Sequence, residues 1–204
     1  MAGQFEEYRR LGGASSKLGR MNYTLRFDRS NIEELARKYT SNQSKKYREA
    51  EARIVQITSP ATKKNRFYSK ADFLEVCRWK SPRKMSYAKK NDEQFIHEVT
   101  TESLRTQDER QRITILTQLD GVLWPTASVL LHFGHIEPYP ILDFRALWSL
   151  SISQPSTYKF SFWSDYVQIC RKIAEEFGIQ MRMLDRALWQ FSKQNQPKSP
   201  VCTD

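Results

Sequence analysis

The stretch from Leu119 to Leu150, LDGVLWPTASVLLHFGHIEPYPILDFRALWSL, restricts the fold more than any other part of the chain. Its glycines and prolines cut an otherwise apolar run into short pieces that can only be packed as a turn, a helix, a loop and a helix. A tight turn spans Asp120 to Trp124 and ends at Pro125. That proline suits a first helical position, because its φ is already helical and its missing N–H is not needed there. An apolar helix is expected from Thr126 to Phe133, ended by Gly134, and a loop with Pro138 and Pro140 then delivers Asp143 to the start of a helix over Phe144 to Leu150.

Two residues in this stretch point beyond packing. Gly121 stands where a short turn between helices needs a residue without a Cβ, so that the backbone can bend sharply and approach a ligand. Amides left unpaired at the start of the Thr126 helix would face outward and, with the helix dipole, favour a phosphate. Asp143 is a single carboxylate among Ile141, Leu142, Phe144, Leu147 and Trp148. An acid in such company is either costly or useful.

The remaining chain reads as helices in series. Met1 to Arg20, with Gly12, Gly13, Ser15 and Ser16, is expected to be a loosely attached lead-in. Asn22 to Phe27 reads as a short extended piece. Ser30 and Glu33 form a capping box before a helix from about Asn31 to Tyr39. A solvated helix follows over Lys45 to Ile57, and Ser59 to Lys70 reads as a loop because Ser59, Pro60 and Asn65 break the pattern. Ser69 with Asp72 caps a helix carrying Phe73, Leu74, Val76 and Cys77, a further helix opens at Asn91 to Gln94, and Asp108 to Leu119 enters the turn. Ser151 to Ser156 is a loop. Ser161 to Phe177 is a long amphipathic helix stopped by Gly178, Ile179 to Ser192 is the last helix, and Lys193 to Asp204 is a tail. Eight or nine helices and no convincing sheet make the fold all-α.

Composition narrows the function classes. With 204 residues, 39% hydrophobic and 27% charged, the chain can bury a real core, and no apolar run approaches a membrane span. It has no signal-peptide core, so a cytoplasmic (nucleoid) or nuclear location is expected, with no membrane partner. Cys77, Cys170 and Cys202 are odd in number and far apart, which argues against disulfides and against a zinc cluster. His132 and His135 have no Cys, Asp or Glu set to complete a site, so no metal and no other cofactor is expected. No Gly-rich nucleotide loop is present, which argues against kinase or ATPase chemistry.

The formal charge is +10, and its distribution says more than its total. Residues 61 to 90 hold ten Lys or Arg against Asp72 and Glu75, a local +8, whereas 91 to 150 hold four basic and nine acidic residues. A cationic face suits an anionic polymer. Within it, Arg78-Trp79-Lys80-Ser81-Pro82-Arg83-Lys84 places an aromatic between cations. Either Trp79 touches a base while Lys80, Arg83 and Lys84 touch phosphates, or the cations offset the helix dipole and Trp79 packs inward.

Leu119, Gly121, Val122, Thr126 and Ala127 match the L-x-G-V-G-x-K-T-A hairpin of the helix-hairpin-helix DNA glycosylase superfamily, and Asp143 follows Pro125 by eighteen residues, similar to the family's separation between hairpin lysine and catalytic aspartate. The chain thus resembles that superfamily over about thirty residues, and the rest of it agrees as a helix-rich outline. The resemblance implies a two-lobed helical fold, with residues 91–150 as the hairpin lobe, 21–90 with 151–194 as the other, and 1–20 and 195–204 as flanking segments. It implies DNA contacts by Gly121, Val122, Leu123, Trp124 and Thr126, and excision by Asp143. Pro125 stands in the lysine place and the four-cysteine pattern is missing, which implies a monofunctional enzyme without lysine-based lyase activity or an iron-sulfur cluster.

The expected partner is double-stranded DNA with a damaged or modified base, a host lesion or a base of foreign DNA, met by a monomer that carries out base excision as in DNA repair. A carboxylate beside the C1′–N bond stabilises the cation-like sugar and orients or deprotonates water, whereas the plainer reading has Asp143 only capping the Phe144 helix. Both roles are compatible. The base-flipping pocket would be aromatic, with Trp79, Tyr139 and Trp148 as candidates and Trp163 and Tyr166 as others; Trp124 is a wedge or packs under the turn. Arg145 pairs with Asp143 or reaches a phosphate. The alternatives are a non-catalytic DNA-binding module of the same fold and an all-α protein-interaction module.

Overall fold

The computed structural model describes residues 16–18 and 21–197. The fold is all-α apart from one small hairpin. Strands β1 (Ser16–Leu18) and β2 (Met21–Tyr23) pair antiparallel with Ser16 opposite Tyr23, so the expected absence of any sheet is corrected by these six residues. The rest of the proposed lead-in, and the tail beyond 197 with Cys202, lie outside the described residues.

The helices are α1 (Ile32–Ser41), α2 (Lys45–Arg53), α3 (Ser59–Asn65), α4 (Lys70–Lys80), α5 (Met85–Ala88), α6 (Glu93–Arg105), α7 (Glu109–Leu116), α8 (Trp124–Gly134), α9 (Phe144–Ser149), α10 (Phe160–Phe177) and α11 (Met181–Asn195). Polar caps place five of their starts. Ser44, Ser69, Asp92, Asp108 and Asp143 each accept a first-turn amide, which satisfies donors the helix cannot reach itself.

Two expectations at the N-terminal side are corrected. The Ser30–Glu33 capping box is not used, because Asp28 caps a 3-10 turn over Arg29–Asn31 and takes both the amide and the hydroxyl of Ser30. The loop expected over Ser59 to Lys70 is in large part α3, to which α2 is joined without a break by a π-helical turn, Ile54–Thr58. Pro60 lies just past the π-helical turn in this continuous helical run, and a local widening of the helix at its proline is the familiar way for such a run to carry on. The C-terminal helix also runs past Ser192 to Asn195.

Buried apolar side chains form one contiguous cluster, from Tyr23 and Ile32 through Phe73, Ile96 and Leu130 to Leu188. Helix α1 packs along α11, and α9 packs on α11 as well, so the first helix, the last helix and the helix that Asp143 opens come together. Thr24 N and Arg26 N donate to Leu150 O and Ser149 O, which ties the segment after β2 to the end of α9. On the other side, α8 is covered by α3, α4 and α7. Gly134 lets Tyr68 lie flat against it, since a Cβ there would meet the ring at 2.7 Å, and the Tyr68 hydroxyl donates to Leu130 O at 2.8 Å. No helix among the described residues is long and apolar enough to cross a membrane.

Candidate functional site

Asp143 opens α9 in an extended conformation, and its Oδ1 accepts the Arg145 amide at 3.0 Å. Its Oδ2 accepts from Lys80 Nζ at 2.7 Å, an ion pair with both side chains mostly but not wholly covered. The capping role and a second role are therefore divided between the two oxygens. The residues leading up to the carboxylate are held by side chains of three helices. Asp185 Oδ1 on α11 accepts Ile141 N at 3.1 Å, Ser128 Oγ on α8 accepts Leu142 N at 2.8 Å, and the Tyr166 hydroxyl on α10 donates to Ile141 O at 2.9 Å.

Asp143 and Lys80 stand on the wall of a cavity of about 220 Å³. Its aromatic surface comes from Tyr39 on α1, Tyr47 on α2, Trp79 on α4 and Trp189 on α11, with Ile141 and Ala146 beside Asp143 and Gln43, Arg182 and Asp185 as further polar groups. Pockets for drug-sized ligands run from roughly 300 to 1,000 Å³, so this one suits a single small ring system. The aromatics are ordered against one another: Tyr47 and Trp79 lie 5.5 Å apart, and Tyr39 meets Trp189 edge-on at 5.2 Å. The guanidinium of Arg182 sits 5.3 Å from the Tyr39 ring and 5.2 Å from Trp79.

The charges around the cavity are paired in a chain. Glu51, only 5% exposed, accepts from Arg182 at 2.7 Å and from Arg186 at 2.5 Å. Burial works against its charge, yet the two guanidinium groups outweigh burial and hold the carboxyl below the ordinary glutamate range. Asp185 is the opposite case. Burial dominates and pushes its carboxyl up to about 7 despite Arg182. His132 Nδ1 lies 2.6 Å from Tyr139 O and must carry a proton to bond it, so it leaves Asp185 Oδ2, 3.3 Å away, without a hydrogen bond. Burial lowers His132 to about 3, so the ring is neutral.

The turn before α8 has a different character. Gly121 adopts φ +82°, and a Cβ there would lie 2.9 Å from Ala88 N and 3.1 Å from Lys84 O, so the turn is pressed against α5 and the cationic segment before it. Buried Asn91 clamps it, accepting from Asp120 N at 2.8 Å and donating to Asp120 O at 3.0 Å. Thr126 N and Ala127 N both bond Leu123 O at 2.8 Å, so these two amides at the start of the helix are taken within the chain. Val122 and Thr126 are buried, whereas Asp120 and Leu123, the latter 64% exposed, face solvent at the turn. Trp124 is half-buried with its ring 6.5 Å from Trp163, so it packs under the turn.

Of the residues singled out in the sequence, the cavity brings together Asp143, Lys80 and Trp79. Arg145 stands at its edge, with its guanidinium 5.3 Å from Trp189 and 5.0 Å from Phe144. Arg83 and Lys84 are exposed on the short helical turn before α5, on the turn's side of the molecule. Tyr139 and Trp148 are elsewhere. Tyr139 is fully buried, stacked on Trp163 at 5.8 Å with its hydroxyl on Glu109, and Trp148 stacks on Phe191 beneath the Arg26 guanidinium. Trp163 and Tyr166 are also core.

Tyr39, Tyr47, Trp189, Arg182, Asp185 and Glu51 were missed. A signal existed for two of them: Glu51 lies on the stripe of Tyr47 and Ile54, and Asp185 on that of Met181 and Leu188, where an acid on an apolar face marks a buried charge needing partners. His132 and His135 are buried and His97 packs on Phe67 at 4.3 Å; no cluster able to hold a metal occurs among the described residues. Cys77 is an inert core thiol, pushed up to about 12 by burial. No family model matches the chain, and no curated protein or solved structure is similar to it at a significant level.

Proposed function

We propose that the chain is a monofunctional DNA glycosylase that hydrolyses the N-glycosidic bond of a flipped damaged or modified base, with Asp143 as its catalytic carboxylate. The observation that carries this reading is the position of Asp143. An oriented carboxylate with one oxygen on a backbone amide and the other on Lys80 borders an aromatic cavity sized for one ring system. A base entering among Tyr39, Tyr47, Trp79 and Trp189 would leave its sugar at the edge, beside Asp143. There the carboxylate would stabilise the cation-like sugar as the C1′–N bond lengthens and would take a proton from the attacking water. Lys80, sharing Oδ2, would keep the carboxylate aimed and offset the charge of a neighbouring phosphate. Arg83, Lys84, Lys89 and Lys90 are exposed around the segment that touches Gly121, and they supply the cations that the turn itself lacks for gripping DNA.

Base release from duplexes carrying differently modified bases, read by mass spectrometry, tests the proposal. Parent protein should leave intact strands with abasic sites, and Asp143→Asn should slow release by about 100-fold or more. Equal rates for the two would remove Asp143 from the chemistry. A second reading, a module of similar fold that binds DNA without cutting it, is favoured by one fact: both Asp143 oxygens already have partners. It expects salt-sensitive duplex binding and no base release from any substrate.

A further inference from the structure

The short helix α5 carries a ring that the packing of the molecule leaves unused. Tyr87 is 48% exposed, although its neighbour Ala88 is buried. Lys84 Nζ lies 5.2 Å and Lys90 Nζ 5.4 Å from the centre of the ring, and Arg83 and Lys89 face solvent in the same segment. Ammonium groups are drawn to an electron-rich ring, so two charges gather around it. Among the described residues none of these four cations is paired with a carboxylate, whereas Lys38, Arg53 and Lys80 all are. Asp120, next to Gly121, also faces solvent and pairs with none of them. The ring stands on fixed backbone. Tyr87 Cβ would meet a Cβ on Gly121 at 3.2 Å, Asn91 Nδ2 donates to Ala88 O at 2.9 Å while also clamping Asp120, and Lys90 N donates to Tyr87 O at 2.9 Å. A flat side chain held in this way loses little freedom when something stacks on it.

A partner that uses both the ring and the cations must offer a flat face and an anion at each repeat. An acidic peptide would occupy the lysines and leave the ring idle, and one aromatic ring is too little apolar surface to hold a membrane. In a paired duplex the base faces are covered by their neighbours, so only an unpaired base can present one. Resting on the reading of the partner as DNA, but not on Asp143 as its catalyst, we propose that Tyr87 is the stacking residue of a site for single-stranded DNA, taking the face of one unpaired base while Lys84 and Lys90 turn outward to the phosphates on either side. The site is indifferent to sequence, because every base has a face and every nucleotide a phosphate. It also adjoins the cavity along the chain: Lys80, which holds Asp143, is followed directly by the segment that touches Gly121.

Fluorescence anisotropy with the full chain compares a twelve-nucleotide thymidine strand, a strand of equal length and charge built of tetrahydrofuran abasic units, and a thymidine duplex with its complement. The thymidine strand should bind about tenfold tighter than the abasic one, the worth of one stacked base. Tyr87→Ala should remove most of that difference and leave the abasic strand and the duplex within about twofold of the parent, since it changes no charge; Tyr87→Trp should keep the difference. Lys84→Gln with Lys90→Gln should weaken both single strands alike and make their binding less sensitive to salt. Should thermal melting show that the alanine variant has not folded, Tyr87→Leu, apolar but without a flat face, takes its place. Equal binding of thymidine and abasic strands by the parent, an undiminished difference in a folded alanine or leucine variant, or binding of none of the probes overturns the proposal. A uridine strand that binds tighter than thymidine would overturn the choice of DNA. Base release by a parent that shows no such preference would sink this inference alone; the preference without base release from any duplex would sink only the catalytic reading.

Discussion

The turn before α8 and the cavity beside α9 come from one continuous stretch of sequence, yet they treat their polar groups in opposite ways. At the turn nearly everything is spent internally: Asn91 takes both groups of Asp120, Leu123 O takes two amides, and α5 closes over Gly121. At the cavity two buried polar atoms stay unmatched, and a carboxyl is pushed up to about 7 by its burial. Unmatched buried atoms are not confined to the cavity, since Trp163 Nε1 beneath the turn also lacks a partner; what sets the cavity apart is the open space beside Asp143 and Lys80. The contrast moves the weight of any binding claim away from the tip of the turn and toward the cavity and the cations beside it.

The sharpest way to break this contrast is to disturb the charges that surround the cavity. Glu51→Ala leaves Arg182 and Arg186 without their shared counter-charge and should cost about 3–5 kcal/mol in denaturant unfolding. A loss under 1 kcal/mol would mean that the pair is solvated and that the cavity wall is softer than described. Next comes the turn. Gly121→Ala forces a side chain into left-handed backbone and against Ala88 N, so about 1–3 kcal/mol should be lost; no loss would show that the turn does not bear on α5. Tyr68→Phe, which strips the hydroxyl from Leu130 O in the shared core, should cost about 1 kcal/mol.

A pH series separates the regions more finely. The folded protein keeps the Asp185 proton where the unfolded chain has lost it, so Asp185 lowers stability progressively as pH rises from near 4 to near 7. Asp185→Asn has no such charge, and its stability relative to the parent should be more favourable at pH 8 than at pH 5. His132 acts at the other end: held neutral in the fold, it costs stability as pH falls from 6.5 toward 3. A stability difference between parent and Asp185→Asn that does not change with pH would place Asp185 in contact with solvent. The smallest effect belongs to the exposed tip, where Leu123→Ser should change stability by less than about 0.5 kcal/mol.

Much of the helical outline was legible because it rests on local chemistry. Ser69, Asp108, Asp143 and Gly178 mark helix ends by hydrogen bonds and backbone freedom that depend on immediate neighbours. Pro60 misled for the complementary reason: a proline reads locally as a break, and only the π-helical turn before it shows that the helix carries through. The cavity was legible in part. Asp143, Lys80 and Trp79 stand out by composition and by spacing, whereas Tyr39, Tyr47, Trp189 and Arg182 come from helices far apart in sequence, and nothing local distinguishes them from core aromatics or surface cations. Tyr139 and Trp148, candidates as aromatics, are instead held by contacts with Trp163 and Phe191, the first in the core and the second at its edge.

The bonds that Asp185, Ser128 and Tyr166 make to the two residues ahead of Asp143 leave that carboxylate little freedom to follow an incoming molecule. One wall of the cavity is in effect bolted to three helices. Any widening on occupancy is left to the other walls, where Tyr39, Tyr47, Trp79 and Trp189 stand on four separate helices.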